Sequence, residues 1–194
     1  ANLKAITFNG AYTAGIEARE VFYKATTVDV VAGSATTQSL ALERPMAKYR
    51  LVANDIARYR SLMSTNDYPP LEELSITIQY EGFLPCGFDV ATGKPNDSQT
   101  GYSYDATLPA ITPEMTEVEV ANDYVFVNGT ESAVTVTVLV KDKTGKVISR
   151  VQGVEVKYKR GMLTTVEGDF LTAGVVNPGI NIDTNWDGEY EVIF

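Results

Sequence analysis

The sequence predicts an all-β protein, an antiparallel β-sandwich with one short helix near residues 54–63, and three observations point to it. The first is a period of two. Val134, Val136, Val138 and Val140 alternate with Thr135, Thr137, Leu139 and Lys141, the pattern of a strand with one strongly apolar face. The second is residue type, because Thr, Val, Tyr and Ile dominate the alternating stretches, as a pleated, half-buried surface prefers. The third is spacing: several such stretches are separated by turn signals.

In chain order, Leu40 and Leu42 open the set of strand-like segments. Tyr49, Leu51 and Ala53 then alternate with Lys48, Arg50 and Val52. The segment Asn54 to Met63 is the only one that reads as helix. Asn54 or Asp55 supplies an N-cap, Ile56, Tyr59, Leu62 and Met63 form an apolar stripe, and Asp67-Tyr68-Pro69-Pro70 ends it. Ile76, Ile78 and Tyr80 alternate with Ser75, Thr77 and Gln79. Pro85 to Pro113 carries Gly87, Gly93-Lys94-Pro95-Asn96-Asp97, Gly101 and Pro109 with little alternation, and reads as a long functional loop or a linker between two small sandwiches. The domain organisation is therefore either one region over 1–194 or a split into 1–110 and 111–194.

Val118 and Val120 begin the next alternation, and Tyr124 to Val127 resumes an apolar run after Asn122-Asp123. The strand around Val134 to Val140 meets turn chemistry at Asp142-Lys143-Thr144-Gly145 and returns as Val147 to Val156. In that return Val154, Val156 and Tyr158 alternate with Glu155, Lys157 and Lys159, and Gly153 marks a bulge. Met162 to Val166 and Tyr190 to Phe194 complete the set.

Composition excludes more than it assigns. At 44% hydrophobic and 21% charged, the chain has the balance of an ordinary globular protein. Sixteen basic against 25 acidic residues give a formal charge of −9 over 194 residues, and no basic patch interrupts the field, so nucleic acid is not an expected partner. With no His, imidazole-based catalysis and His-ligated metal are out of reach. The single Cys, Cys86, rules out an intrachain disulfide; flanked by Phe83-Leu84-Pro85 and Gly87-Phe88, it reads as a small buried hydrophobe. No apolar run of about 18 residues is present, so no transmembrane segment is expected, and Ala1 opens no basic-then-apolar leader.

Three constellations invite chemistry. Asp183-Thr184-Asn185-Trp186-Asp187-Gly188 places oxygen-bearing side chains of Asp183, Asn185 and Asp187 at alternate positions before a glycine, as a calcium loop does. The position that would supply the bidentate acid is Phe194, so ordinary turn capping is the preferred reading and calcium the alternative. Trp186, Tyr102 and Tyr104 offer flat rings for stacking on a sugar, or else plug the ends of the core. The acidic pairs Glu72-Glu73, Glu117-Glu119 and Glu189-Glu191 read as solvated sheet faces rather than the paired acids of a glycosidase, and no enzyme is expected. Asn96-Asp97-Ser98 and Asn128-Gly129-Thr130 match the glycosylation sequon.

Three segments carry a family resemblance. Leu42-Glu43-Arg44-Pro45-Met46-Ala47-Lys48-Tyr49-Arg50-Leu51 resembles a strand of the fimbrillin-like proteins of Bacteroidales. Lys159 to Thr172 resembles their basic strand end leading into T-x-V-x-G-x-F-L-T, and Gly179 to Glu189 resembles their closing run, with Trp186 in place of Phe. The resemblance implies an antiparallel sandwich of transthyretin-like, Greek-key type, exported as a lipoprotein to the cell surface, outer membrane or fimbrium. It implies a pilus subunit, accessory protein or adhesin whose partners are other pilus subunits or host and bacterial surface ligands. Polymerising members fill a groove with a neighbour's strand. Leu3, Ile6 and Phe8 near one end, and Tyr190, Val192 and Phe194 on one face of the C-terminal tail, are then the strand donor or acceptor candidates. The alternative is a glycan-binding sandwich, calcium-assisted at the Asp183 loop; otherwise no cofactor is expected.

Overall fold

The computed structural model describes residues 4–7, 14, 20–65 and 68–174. In these residues the period-two stretches become strands: β1 (Ala5–Thr7), β2 (Met46–Ala53), β3 (Ser75–Glu81), β4 (Phe83–Asp89), β5 (Lys94–Thr100), β6 (Ser103–Ala106), β7 (Val118–Phe126), β8 (Glu131–Lys141), β9 (Val147–Lys159) and β10 (Leu163–Gly168). Helix α1 spans Ile56–Thr65. The strands form a four-stranded sheet in the order β6-β3-β8-β9, a three-stranded sheet β10-β2-β7, and a second three-stranded sheet β1-β4-β5.

The first two sheets face each other and make the sandwich. Ile76, Ile78, Val134, Val136, Val138, Val140, Val154 and Val156 on one meet Tyr49, Leu51, Val118, Val120 and Val125 on the other in one continuous core. Helix α1 plugs an end of that core with Ile56 and Tyr59, both fully buried. Arg60, on the helix, holds the crossing segment before β7 by donating to the carbonyls of Thr112 at 2.6 Å and Pro113 at 2.9 Å. Pairing is antiparallel except between β10 and β2, which run parallel with Leu163 opposite Lys48.

The third sheet covers the outer face of β2 and β7 at one end. There Met46, Tyr124 and Phe126 meet Phe88 of β4, with Ile6, Val21 and Tyr23 packed around them. The Phe88 and Phe126 rings stack with centroids 5.5 Å apart, and Tyr23 meets Phe88 edge-on at 4.8 Å. The chain passes from one sheet to the other at Gly82, between β3 and β4, where a φ of 102° is open to glycine and strained for any other residue.

The structure corrects several expectations. Pro85 to Pro113 is neither one long loop nor a linker, since it holds most of β4 and all of β5 and β6. Strands on both sides of residue 111 interleave in both sandwich sheets, β3 with β8 and β2 with β7, so a cut there would sever each of them. Leu40 and Leu42 form no strand and are 50% and 62% exposed. Asn122-Asp123 does not interrupt the strand but lies within β7. The helix begins after Asp55, yet the Asp55 carboxylate is occupied by Leu171 and Thr172 rather than by its own helix. Cys86 is half-buried rather than buried. Gly153, by contrast, does bulge: the β8–β9 register shifts beside it and its φ is 70°.

Candidate functional site

Pairing of β6 with β3 sets Tyr104 opposite Ile78, and the Tyr80 amide donates to the Tyr102 carbonyl at 2.9 Å just beyond. Because alternate residues share a face, Tyr80, Tyr102 and Tyr104 gather at the side of the sandwich. The Tyr102 and Tyr104 rings stack at 6.3 Å and 27°, and Tyr80 lies 5.9 Å from Tyr102. From the opposite sheet Tyr49 and Asp123, direct partners across β2 and β7, point into the same space. Tyr80 donates to Asp123 Oδ2 at 2.8 Å, which leaves Tyr49 as donor in its 2.7 Å contact with the Tyr80 hydroxyl. Tyr104 donates to the Asn122 carbonyl at 3.1 Å and so bridges the two sheets.

Burial pushes the Tyr49 phenol well above its ordinary range, and its neighbours Tyr104 and Asp123 raise it further. Burial likewise raises Tyr104, with Asp123 next in weight. Both therefore stay neutral and act as hydrogen-bond groups that lock the sheets together. Tyr102 and Tyr104 are both half-buried and pack against the sandwich core.

Beside Tyr102 lies a groove of about 300 Å³ on the outer face of the four-stranded sheet, walled by Gln79, Glu81, Ser103, Thr137, Arg150 and Gln152. Glu81 is positioned by Thr137, whose hydroxyl donates to it, and by the Gly153 amide at 3.0 Å. Gln152 presents its amide oxygen to Arg150 Nη2 at 2.6 Å. A planar amide, a carboxylate and a guanidinium suit hydroxyl recognition. Glu81 is the sole carboxylate of the lining, so the groove does not hold the two flanking acids that glycoside hydrolysis requires.

The sequence-derived candidates separate accordingly. Tyr102 and Tyr104 do come together, but Tyr104 is a strut and only Tyr102 lines the groove. Ile6 packs on the cluster around Phe88 and Met46. Leu3, Phe8, Trp186, Asp183, Asn185, Asp187, Tyr190, Val192 and Phe194 lie outside the described residues. Among the described residues no three His, Cys, Asp or Glu side chains gather as a metal site, and no helix is long and apolar enough to cross a membrane. Burial raises the Cys86 thiol, and the neighbouring Asp97 raises it further, which disfavours the thiolate. The polar groove was missed from sequence because its walls sit on four separated segments; the alternation of Gln79 and Glu81 with core residues was the one legible trace.

The model of a family of unknown function, DUF6562, matches residues 1–193. A solved structure, that of a candidate adhesin from Bacteroides ovatus, is similar at 12% identity and a TM-score of 0.49; the match covers 86% of this chain and 58% of that one. No curated protein matches.

Proposed function

The chain belongs to the family of unknown function DUF6562, and we propose that it is a non-enzymatic adhesion module of the cell surface, working through strand rims and outer faces rather than a reactive pocket. The observation that carries this reading is rim length. Strand β9 runs 13 residues and pairs along one side with β8. Among the described residues, its backbone bonds away from β8 include those from Arg150 N to Ala173 O at 3.3 Å and from Met162 N to Lys159 O at 3.1 Å, one near each end of the strand. Among the described residues, strand β5 likewise pairs with β4 alone and is largely exposed. A free strand side is a template for an incoming strand, with main-chain hydrogen bonds for affinity and side-chain pockets for specificity.

Fimbrillin-like assembly, lipoprotein export, placement at the outer membrane or fimbrium, and partners among pilus subunits or surface ligands are parts of the same proposal. Its strand candidates are Leu3, Ile6 and Phe8 and the tail residues Tyr190, Val192 and Phe194. The purified chain is expected to form filaments or SDS-resistant ladders, or to bind bacterial or host cell surfaces. Deletion of residues 1–10 or 189–194 is expected to abolish the ladders. A chain that neither associates nor binds any surface refutes the reading.

The groove beside Tyr102 favours a second reading, recognition of a neutral glycan. Gln152→Ala, at an exposed residue of the groove wall, is then expected to remove binding on a glycan array at an unchanged melting temperature. Calorimetry with calcium and with chelator tests the Asp183 loop.

A further inference from the structure

Phe83, the first residue of β4, is 74% exposed. Its neighbour Leu84 is fully buried in the sandwich core. Successive residues of a strand project to opposite sides, so the Phe83 ring projects away from that core. Phe22, the other exposed phenylalanine among the described residues, has the Arg44 guanidinium 4.8 Å from its ring centre. Phe83 has no such cover: among the described residues no aromatic ring and no cation stacks on it.

This bare ring adjoins the polar groove. Phe83 pairs across the β4–β5 ladder with Thr100, and the next residue, Gly101, lines the groove. Two residues before Phe83 stands Glu81, another lining residue. Two residues of extended chain span at most about 7 Å, so the groove wall lies within a phenylalanine's reach of the Phe83 backbone. Gly82 and Gly101 sit side by side at that end of the pair, with φ of 102° and 67°, and a Cβ at either would meet nothing within 4 Å. Open space therefore borders the backbone between groove and ring. Within the groove, the Thr137 hydroxyl and the Gly153 amide both donate to Glu81 Oε1, which leaves Oε2 without a partner among the described residues.

We propose that Phe83 and the groove form one site for a neutral saccharide, the ring stacking on the C–H face of one pyranose while Gln79, Glu81 and Gln152 hydrogen-bond the hydroxyls of the next. The proposal rests on the glycan reading of the groove and adds the stacking surface that its own walls lack, since Tyr80 and Tyr102 are packed into the core. A pyranose carries an apolar C–H patch as well as hydroxyls. A large, rigid ring with a free face covers that patch, while amides and the open carboxylate oxygen supply donors and acceptors for the hydroxyls. Charge selects the class of sugar. Glu81 and Arg150 bring one charge of each sign to the groove, and the chain as a whole stands at −9, so acidic saccharides are repelled and neutral ones are not.

The test is titration calorimetry and proton NMR on the full chain with neutral hexasaccharides of glucose, galactose and mannose, and with an oligogalacturonide as the acidic probe. At least one neutral probe is expected to bind, with upfield ring-current shifts of its C–H protons, and to bind more tightly than the oligogalacturonide. Phe83→Ala is expected to weaken binding about tenfold and to abolish the shifts at an unchanged melting temperature, and Phe83→Trp to restore both. Gln152→Ala reports on the groove by itself. Binding that Gln152→Ala removes and Phe83→Ala leaves intact overturns this proposal and keeps the groove reading; a parent chain that binds no neutral probe overturns both. Preference for the oligogalacturonide overturns the assignment of a neutral ligand. A melting temperature lowered by Phe83→Ala overturns the proposal as well, because the ring would then be packed by the chain's own residues.

Discussion

Asp55 is 4% exposed and its carboxylate accepts from the amides of Leu171 at 3.0 Å and Thr172 at 2.7 Å and from the Thr172 hydroxyl at 2.8 Å. It thereby ties the start of α1 to a segment more than a hundred residues later. Asp55→Ala strands two buried amides and is expected to cost about 3 kcal/mol in urea unfolding. Burial, its largest influence, raises the Asp55 pKa, while those hydrogen bonds oppose the rise. A raised folded-state value means that the stability it contributes is full below the ordinary carboxylate range and is lost as pH rises through the raised value. The advantage of the parent over Asp55→Ala should therefore be larger near ~pH 3 than near ~pH 7; a larger advantage at neutral pH would contradict the assignment. Asp123 offers a second case at this scale. Tyr80→Phe deletes a donor to that fully buried carboxylate and is expected to lower stability by about 2 kcal/mol while leaving the backbone circular dichroism unchanged.

At the scale of elements, Arg160 links parts that backbone pairing leaves separate. It donates to the Tyr23 hydroxyl at 2.6 Å and to the carbonyls of Gly93 and Val127 at 3.0 Å each, and its guanidinium lies 5.6 Å from the centre of the Phe88 ring. The segment around Tyr23, the β4–β5 turn and the residue that follows β7 thus meet on one planar fork that lysine cannot reproduce. Arg160→Lys is expected to raise amide exchange in residues 83–100 about tenfold while β8 and β9 keep their protection; equal loosening everywhere would show that the fork is not local. The same scale explains what could be read from sequence. The β8–β9 hairpin was legible down to its bulge because both strands alternate strictly and Gly153 stands out. Strand β5, Lys-Pro-Asn-Asp-Ser-Gln-Thr, was not, because it buries neither face and owes its extended form to pairing with β4. Leu40 and Leu42 misled in the opposite sense, since period two identifies extended chain but not whether anything packs on it.

For the whole molecule the decisive property is how thoroughly the two halves of the sequence are woven together. The sandwich core draws on β2 and β3 from before residue 111 and on β7, β8 and β9 from after it, in both sheets. Strand β10 completes one sheet by pairing in parallel with β2, more than a hundred residues earlier in the chain. No stretch of sequence carries such pairings on its face, which is why alternation yielded the strands while the order of the sheets, the third sheet and the walls of the groove had to come from the structure. An interleaved core makes the halves depend on each other, because removing either one exposes the apolar side of every strand left behind. Calorimetry is therefore expected to show one unfolding transition, with calorimetric and van't Hoff enthalpies in agreement. The terminal halves expressed alone should not fold. Two resolved transitions, one of them reproduced by a fragment ending near residue 110, would show that the weave is dispensable and restore the division that the prolines and glycines of residues 85–113 suggested.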